Sequence, residues 1–312
     1  MKIDYPISLE KARELVKEDI LDVIKEAYKL RKKYKEDRVF TCSIINAKSG
    51  LCKEDCAFCA QSVYHKTDIK IYPLMDEEEI LERAKMMKEK GATRFSIVTS
   101  GYKLKDREIS KVCKAVELIK KEVGIKVCAS LGMLDRNTAS KLKDSGLDKY
   151  HHNLETARSY FQKICTTHSY DEDIETVKMA KESGLEVCCG GIIGLGENWD
   201  QRLELAFTIR ELDVDSIPLN FLIPIPGTRL KDMPLLDPLE AIRTIAIFRI
   251  INPEKDITIC GGREVVLRDL QSWIFLAGAN GIMIGDYLTT KGRNIEDDIR
   301  MIEDLGLKIS ES

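Results

Sequence analysis

Cys52, Cys56 and Cys59 stand in a C-x3-C-x2-C spacing within the stretch SGLCKEDCAFCAQS, residues 49–62. A structural zinc site takes four ligands, commonly as paired C-x2-C knuckles, and only the second pair here has that form. A zinc reading therefore needs a fourth donor, Cys42 or His65. Three thiolates on a four-iron cluster would instead leave one iron without a protein ligand, open to a small molecule able to chelate it. That second arrangement suits a cluster that hands an electron directly to its bound cofactor. Spacing alone leaves iron and zinc both open.

The elements that must position these thiols follow a βα rhythm. From residue 39 short β-branched runs alternate with longer helical patterns, the mark of a parallel sheet. Strands are expected at VFTCSII from 39, RFSIVTS from 94, IKVCAS from 125, KYHHNLE from 149, LEVCCGGII from 185, DSIPLNFLI from 215, DITIC from 256 and GIMIG from 281. Helices are expected to begin near Asp76, Asp106, Asp135, Asp171, Trp199, Asp237, Glu264 and Ile295, several of them on an Asp that can cap. About eight such units close a barrel. The chain is thus read as α/β, a (β/α)8 TIM-type barrel over residues 38–312, with a doubly wound open sheet as the alternative. Residues 8–37 read as one amphipathic helical lead capped by Ser8, so residues 1–37 are taken as an N-terminal helical extension.

In a barrel the C-terminal strand ends form the active face. Cys128, His152 with Asn153, Cys188 with Cys189, Asn220 and Cys260 all fall late in an expected strand or just past it. A buried Cys is often a small core hydrophobe, and Cys42, Cys113 and Cys165 are read that way.

Composition bounds the function. The 312 residues carry 49 basic and 52 acidic side chains, with Lys and Glu mostly alternating along helix faces, so nucleic acid is not an expected partner. No apolar run nears the roughly 20 residues of a membrane span, and the first residues are too charged for a secretory signal; a cytoplasmic protein without membrane attachment is expected. Ten Cys in a reducing compartment are metal ligands or reactive thiols sooner than disulfides. The glycines of GGIIGLGE at 190 do not follow G-x-G-x-x-G and lie on the fifth strand, which argues against a dinucleotide fold.

The stretch NAKSGLCKEDCAFCAQS resembles the radical S-adenosylmethionine enzymes, and among them the biotin synthase family. YHHNLET at 150, CTTHSY at 165, GGIIGLGE at 190, PIPGTRL at 224 and AGANGIMIGDYLTT at 277 are similar to the same family, from about residue 8 to residue 308. The resemblance implies a [4Fe-4S] cluster on Cys52, Cys56 and Cys59 that reduces S-adenosylmethionine and releases a 5′-deoxyadenosyl radical. It further implies dethiobiotin as substrate, a second iron–sulfur cluster as sulfur source, an electron donor such as flavodoxin or ferredoxin, and a homodimer.

Residue by residue the resemblance is incomplete. The family's second cluster is a two-iron centre held by three Cys and an Arg; Cys128 and Cys188 match two of these, while the other positions fall at Ser96 and Thr258. Serine is a poor iron ligand beside thiolates, and threonine does not replace a guanidinium. Cys260, two residues after Thr258 on the same strand face, and Cys189 are new thiols close by. The expectation is a rebuilt second cluster around Cys128, Cys188 and Cys260, with Cys189 as a further candidate although consecutive strand residues face opposite sides. A four-iron cluster carrying an extra sulfide is the form expected. By the same resemblance Asn153, Glu155, Ile192 and Gly194 contact the cofactor, and His151, His152, Asn153 and Asn220 the substrate. Asp173 stands where a helix Arg often binds the cofactor carboxylate, and Arg263 is either a replacement cation or an ion-pair partner. The competing functions are another radical enzyme on the same barrel, an isomerase or cofactor-maturation enzyme, and a metal-cluster-binding protein without turnover.

Overall fold

The computed structural model describes residues 4–310. Helices α1 (Leu9–Lys17) and α2 (Ile20–Lys35) come first. The expected single lead is therefore two helices: the Glu18 N–H closes back on the Leu15 carbonyl, and the Asp19 carboxylate caps the second helix by accepting from the Leu21 N–H at 2.9 Å. Val23, Ile24, Ala27 and Leu30 of α2 are buried.

The chain then runs β1 (Arg38–Lys48), α3 (Glu77–Glu89), β2 (Arg94–Thr99), α4 (Asp106–Glu122), β3 (Lys126–Ser130), α5 (Arg136–Asp144) and β4 (Lys149–His151). Next come α6 (Arg158–Ile164), α7 (Tyr170–Glu182), β5 (Glu186–Cys188), β6 (Gly191–Ile193), α8 (Trp199–Glu211), β7 (Ser216–Phe221), α9 (Pro238–Ile251) and β8 (Asp256–Ile259). The last elements are α10 (Arg263–Leu267), α11 (Trp273–Leu276), β9 (Gly281–Met283), α12 (Ile295–Asp304) and β10 (Lys308–Ile309). The order β1-β2-β3-β4-β5-β7-β8-β9 is parallel throughout, and β9 pairs back with β1 through Phe40↔Gly281, which closes an eight-strand barrel. Only glycine fits at the seam, because a Cβ on Gly281 would lie 2.4 Å from the Phe40 ring.

Strand alternation sorts the side chains. Val127, Tyr150, Val187, Ile217 and Ile257 point outward into the apolar layer under the helices, while Cys128, His151, Cys188, Asn220 and Thr258 point into the barrel. α9 is buried almost all round and packs on α2, so the leading helices cover it. The fifth strand is cut into β5 and β6 at Gly190, where a Cβ would sit 1.9 Å from the Pro218 carbonyl oxygen. Among the described residues no helix is long and apolar enough to cross a membrane.

Candidate active site

The loop after β1 is held first by its own hydrogen bonds. The Cys52 N–H donates to the Gln61 carbonyl (3.0 Å), the Val63 N–H to the Cys52 carbonyl (2.8 Å) and the Cys59 N–H to the Cys56 carbonyl (2.9 Å). The α6–α7 connection braces it: the Asp55 carboxylate accepts from the Thr166 N–H at 2.8 Å and hydroxyl at 2.6 Å, and the Arg229 guanidinium bridges the Asp55 and Ile164 carbonyls. Cys52, Cys56 and Cys59 consequently all face one hollow over the barrel mouth.

Burial pushes the Cys59 thiol up to about 11 and raises Cys52, while Cys56 is raised by its contact with Cys165 and by burial. Three soft donors crowded into one hollow are a set that a metal's positive charge would relieve, so they fit an iron–sulfur cluster with three protein ligands. Neither of the fourth donors considered from the sequence completes a zinc quartet with these thiols. Cys42 lies down in the barrel, and His65 turns Nδ1 to the Cys59 carbonyl at 2.8 Å.

Cys165, read from sequence as structural, lies at this hollow with Sγ 3.8 Å from that of Cys56 and 3.3 Å from His168 Nδ1. The hydrogen bond from Cys56 lowers it to about 4, with His168 acting in the same direction against burial. Asp173 is not a bare anion facing the cofactor: it is 3 % exposed and held between His152 Nε2 at 2.8 Å and His168 Nε2 at 3.5 Å. Burial opposes the charge on His168, but Asp173, Cys165 and Glu54 together lift it to about 11. This imidazolium had no sequence signal beyond its place in CTTHSY. Arg263 is fully buried and pairs with Asp298 at 2.7 Å, which settles it as an ion-pair partner.

At the waist stand His151, Asn153 and Glu155, which line both this hollow and a deeper one. Asn153 accepts from the Gly190 N–H at 3.1 Å and donates to Glu155 at 3.3 Å. Glu155 has φ 59°, an uncommon value for a residue with a side chain, and the strained backbone turns its carboxylate to the waist. Burial raises its pKa to about 7. Asn220 and Ile192 line only the deeper hollow, and His152 only the upper one. Gly194 lines neither: its N–H donates to Glu197 at 2.9 Å, and its neighbours are Leu222 and Leu236.

The deeper hollow gathers thiols from four strands. Cys42 comes from β1, Cys128 from β3, Cys188 from β5 and Cys260 from the end of β8, with Ser96 and Thr258 among them. Cys42 had been assigned to the core; alternation along β1 puts it on one face with Ile44, which also lines the hollow, and that period-two pattern was the available signal. Cys189 is turned the opposite way. It is fully buried in the apolar layer outside the barrel, because it follows Cys188 directly on the strand, and the structure removes it from the thiol set.

The pattern of a radical S-adenosylmethionine superfamily domain matches residues 48–209, and that of a biotin and thiamin synthesis associated domain matches residues 218–308. A biotin synthase of Syntrophus aciditrophicus is 56% identical over 290 residues, covering 93% of this chain and 89% of that protein. A biotin synthase of Geotalea uraniireducens is 55% identical over 282 residues, covering 90% and 86%. Among solved structures, methylornithine synthase superposes with TM-score 0.85 at 22% identity over 98% of this chain and 95% of its own. The hydrogenase maturase HydG of Carboxydothermus hydrogenoformans gives 0.84 at 16% over 97% and 76%. At such identities these two share the fold.

Proposed function

The chain belongs to the biotin synthase family of radical S-adenosylmethionine enzymes, and from that premise we propose how its own residues divide the reaction. It is a sulfurtransferase acting on dethiobiotin. When bound, the loop cluster supplies the electron that splits S-adenosylmethionine, and an auxiliary cluster supplies the sulfur. Cys52, Cys56 and Cys59 hold the first, and the loop's contacts with the α6–α7 connection keep the three thiols aimed at the barrel mouth.

Glu155, ionised, would offer its carboxylate to the ribose hydroxyls of the cofactor, and Asn153, donating to it at 3.3 Å, would fix its orientation. Beyond the bonds of Asn153 to the Gly190 N–H and Glu155, and of Asn220 to the Gly261 N–H and the Gly191 carbonyl, each amide keeps one N–H and one lone pair, the donor–acceptor pair that a cyclic urea needs. His151, lining both hollows, would contact the substrate, and Ile192, which the resemblance gives as a cofactor contact, lines only the deeper hollow and would wall the substrate instead.

The single observation carrying the proposal is that Cys42, Cys128, Cys188 and Cys260, from four strands, all line one chamber below the three-thiol loop. Four soft donors from four strands suit iron–sulfur chemistry and fit an all-thiolate auxiliary cluster better than an Arg-ligated two-iron centre. We assign them a four-iron cluster with an added sulfide. Anaerobic reconstitution with iron and sulfide, followed by Mössbauer spectroscopy and mass-spectrometric assay of biotin and 5′-deoxyadenosine, tests this. Two clusters with biotin formed are expected; a protein that makes biotin with a two-iron auxiliary centre overturns the assignment.

Family precedent supports a flavodoxin- or ferredoxin-type donor, a homodimer and a cytoplasmic location. Turnover with the purified donors and light scattering of the reconstituted protein check the first two.

A further inference from the structure

Within the barrel, below the thiols, lies a buried ammonium that the reaction as described does not use. Lys149 is 4 % exposed and pairs in register with Cys128 across β3 and β4. Two residues on, and so on the same face, His151 pairs with Cys188. Lys149 Nζ donates to the Ser216 hydroxyl at 3.1 Å, and Ser216 is itself the register partner of Cys188 on β7. The ammonium is thus fixed between the strands that carry two of the four thiols.

Its acidic partner is Glu186 at 3.1 Å, whose side chain is 48% exposed. Solvent screens that carboxylate on its outer side, which leaves much of the Lys149 charge directed inward. Arg94, the neighbouring interior cation, pairs with Asp256 at 3.0 Å and lies 3.6 Å over the Phe40 ring, and its charge also reaches Cys42 and Cys128.

A cluster held by four thiolates is a net anion, and an anion inside a barrel needs an opposite charge nearby. We propose that Lys149 is a positioning residue for the auxiliary cluster, its ammonium offsetting the negative charge of the metallated thiol set and raising that cluster's reduction potential. The inference rests on the four-thiol reading given above.

The test compares reconstituted wild type with Lys149→Met, Lys149→Arg and Glu186→Gln, using iron and sulfide counts and a potentiometric titration followed by EPR. Lys149→Met is expected to shift the auxiliary potential to more negative values and to cut auxiliary loading severalfold at limiting iron, with the loop cluster's potential unmoved. Lys149→Arg restores both. Glu186→Gln, at a half-exposed side chain that puts no folding demand on the barrel, is expected to move the same potential the opposite way. Unchanged auxiliary potentials in Lys149→Met and Glu186→Gln, in a protein carrying two clusters, overturn this inference alone. If Lys149→Met does not fold, Lys149→Gln, which keeps a donor for the Ser216 hydroxyl, takes its place, and an unmoved auxiliary potential in that variant overturns the inference. A wild type that takes up only the loop cluster overturns the four-thiol reading and this inference with it.

Discussion

The two ends of the reaction chamber place their thiols by opposite means. At the upper end Cys52, Cys56 and Cys59 lie within eight residues of one another on a single loop, and short-range hydrogen bonds arrange them. In the depth Cys42, Cys128, Cys188 and Cys260 come from strands far apart in sequence, and the ladder register of a closed barrel brings them together. A loop can be moved by its braces and can admit a cofactor. A strand register cannot slip by one residue without turning every inward side chain outward. The loop end, open at the barrel mouth, suits a cofactor that must enter and leave, and the strand end suits a cluster that must hold its geometry.

The largest effect that would sharpen this contrast comes from the loop. Cys56→Ser should abolish both 5′-deoxyadenosine and biotin while leaving the iron signal of the auxiliary cluster; loss of both clusters would show that the two ends are not independent. Next, Cys42→Ser should lower biotin formation by more than the roughly 100-fold that second-shell losses reach around metals. Deoxyadenosine production should persist in that variant, and an auxiliary cluster of normal composition would break the four-strand assignment.

The waist separates the ends by pH. Burial holds Glu155 at about 7, so the carboxylate is mostly protonated at pH 6 and mostly ionised at pH 8. The ionised form offers both oxygens as charged acceptors and is the stronger partner for two hydroxyls, so S-adenosylmethionine affinity should rise with pH across that window. Glu155→Gln should flatten the dependence and weaken binding roughly 10-fold, the scale of a hydrogen bond to a charged group; equilibrium dialysis at both pH values reads it. The smallest effect belongs to Cys189→Ala. It should cost about 1 kcal/mol in thermal stability through lost packing and change neither cluster, and loss of auxiliary iron in that variant would return Cys189 to the ligand set.

Legibility in the sequence followed the same divide. The C-x3-C-x2-C loop needs only local spacing, and the βα alternation needs only hydrophobic period and caps, so barrel class and helix starts near Asp76, Asp135 and Asp237 were readable. The break between α1 and α2 was not, because the apolar spacing continues across Asp19 and only the cap shows that the helix restarts.

What the residues alone determined is therefore the set of donors, three of them in order and the rest as thiols and amides near strand ends. The tertiary structure alone decided which of them meet. Cys42 joins the deep set, Cys189 leaves it and Cys165 comes to lie beside Cys56. Asp173 is likewise clasped by His152 and His168. The physical reason is that the direction of a strand residue depends on register against its neighbours around a closed barrel, a long-range quantity that no local spacing carries.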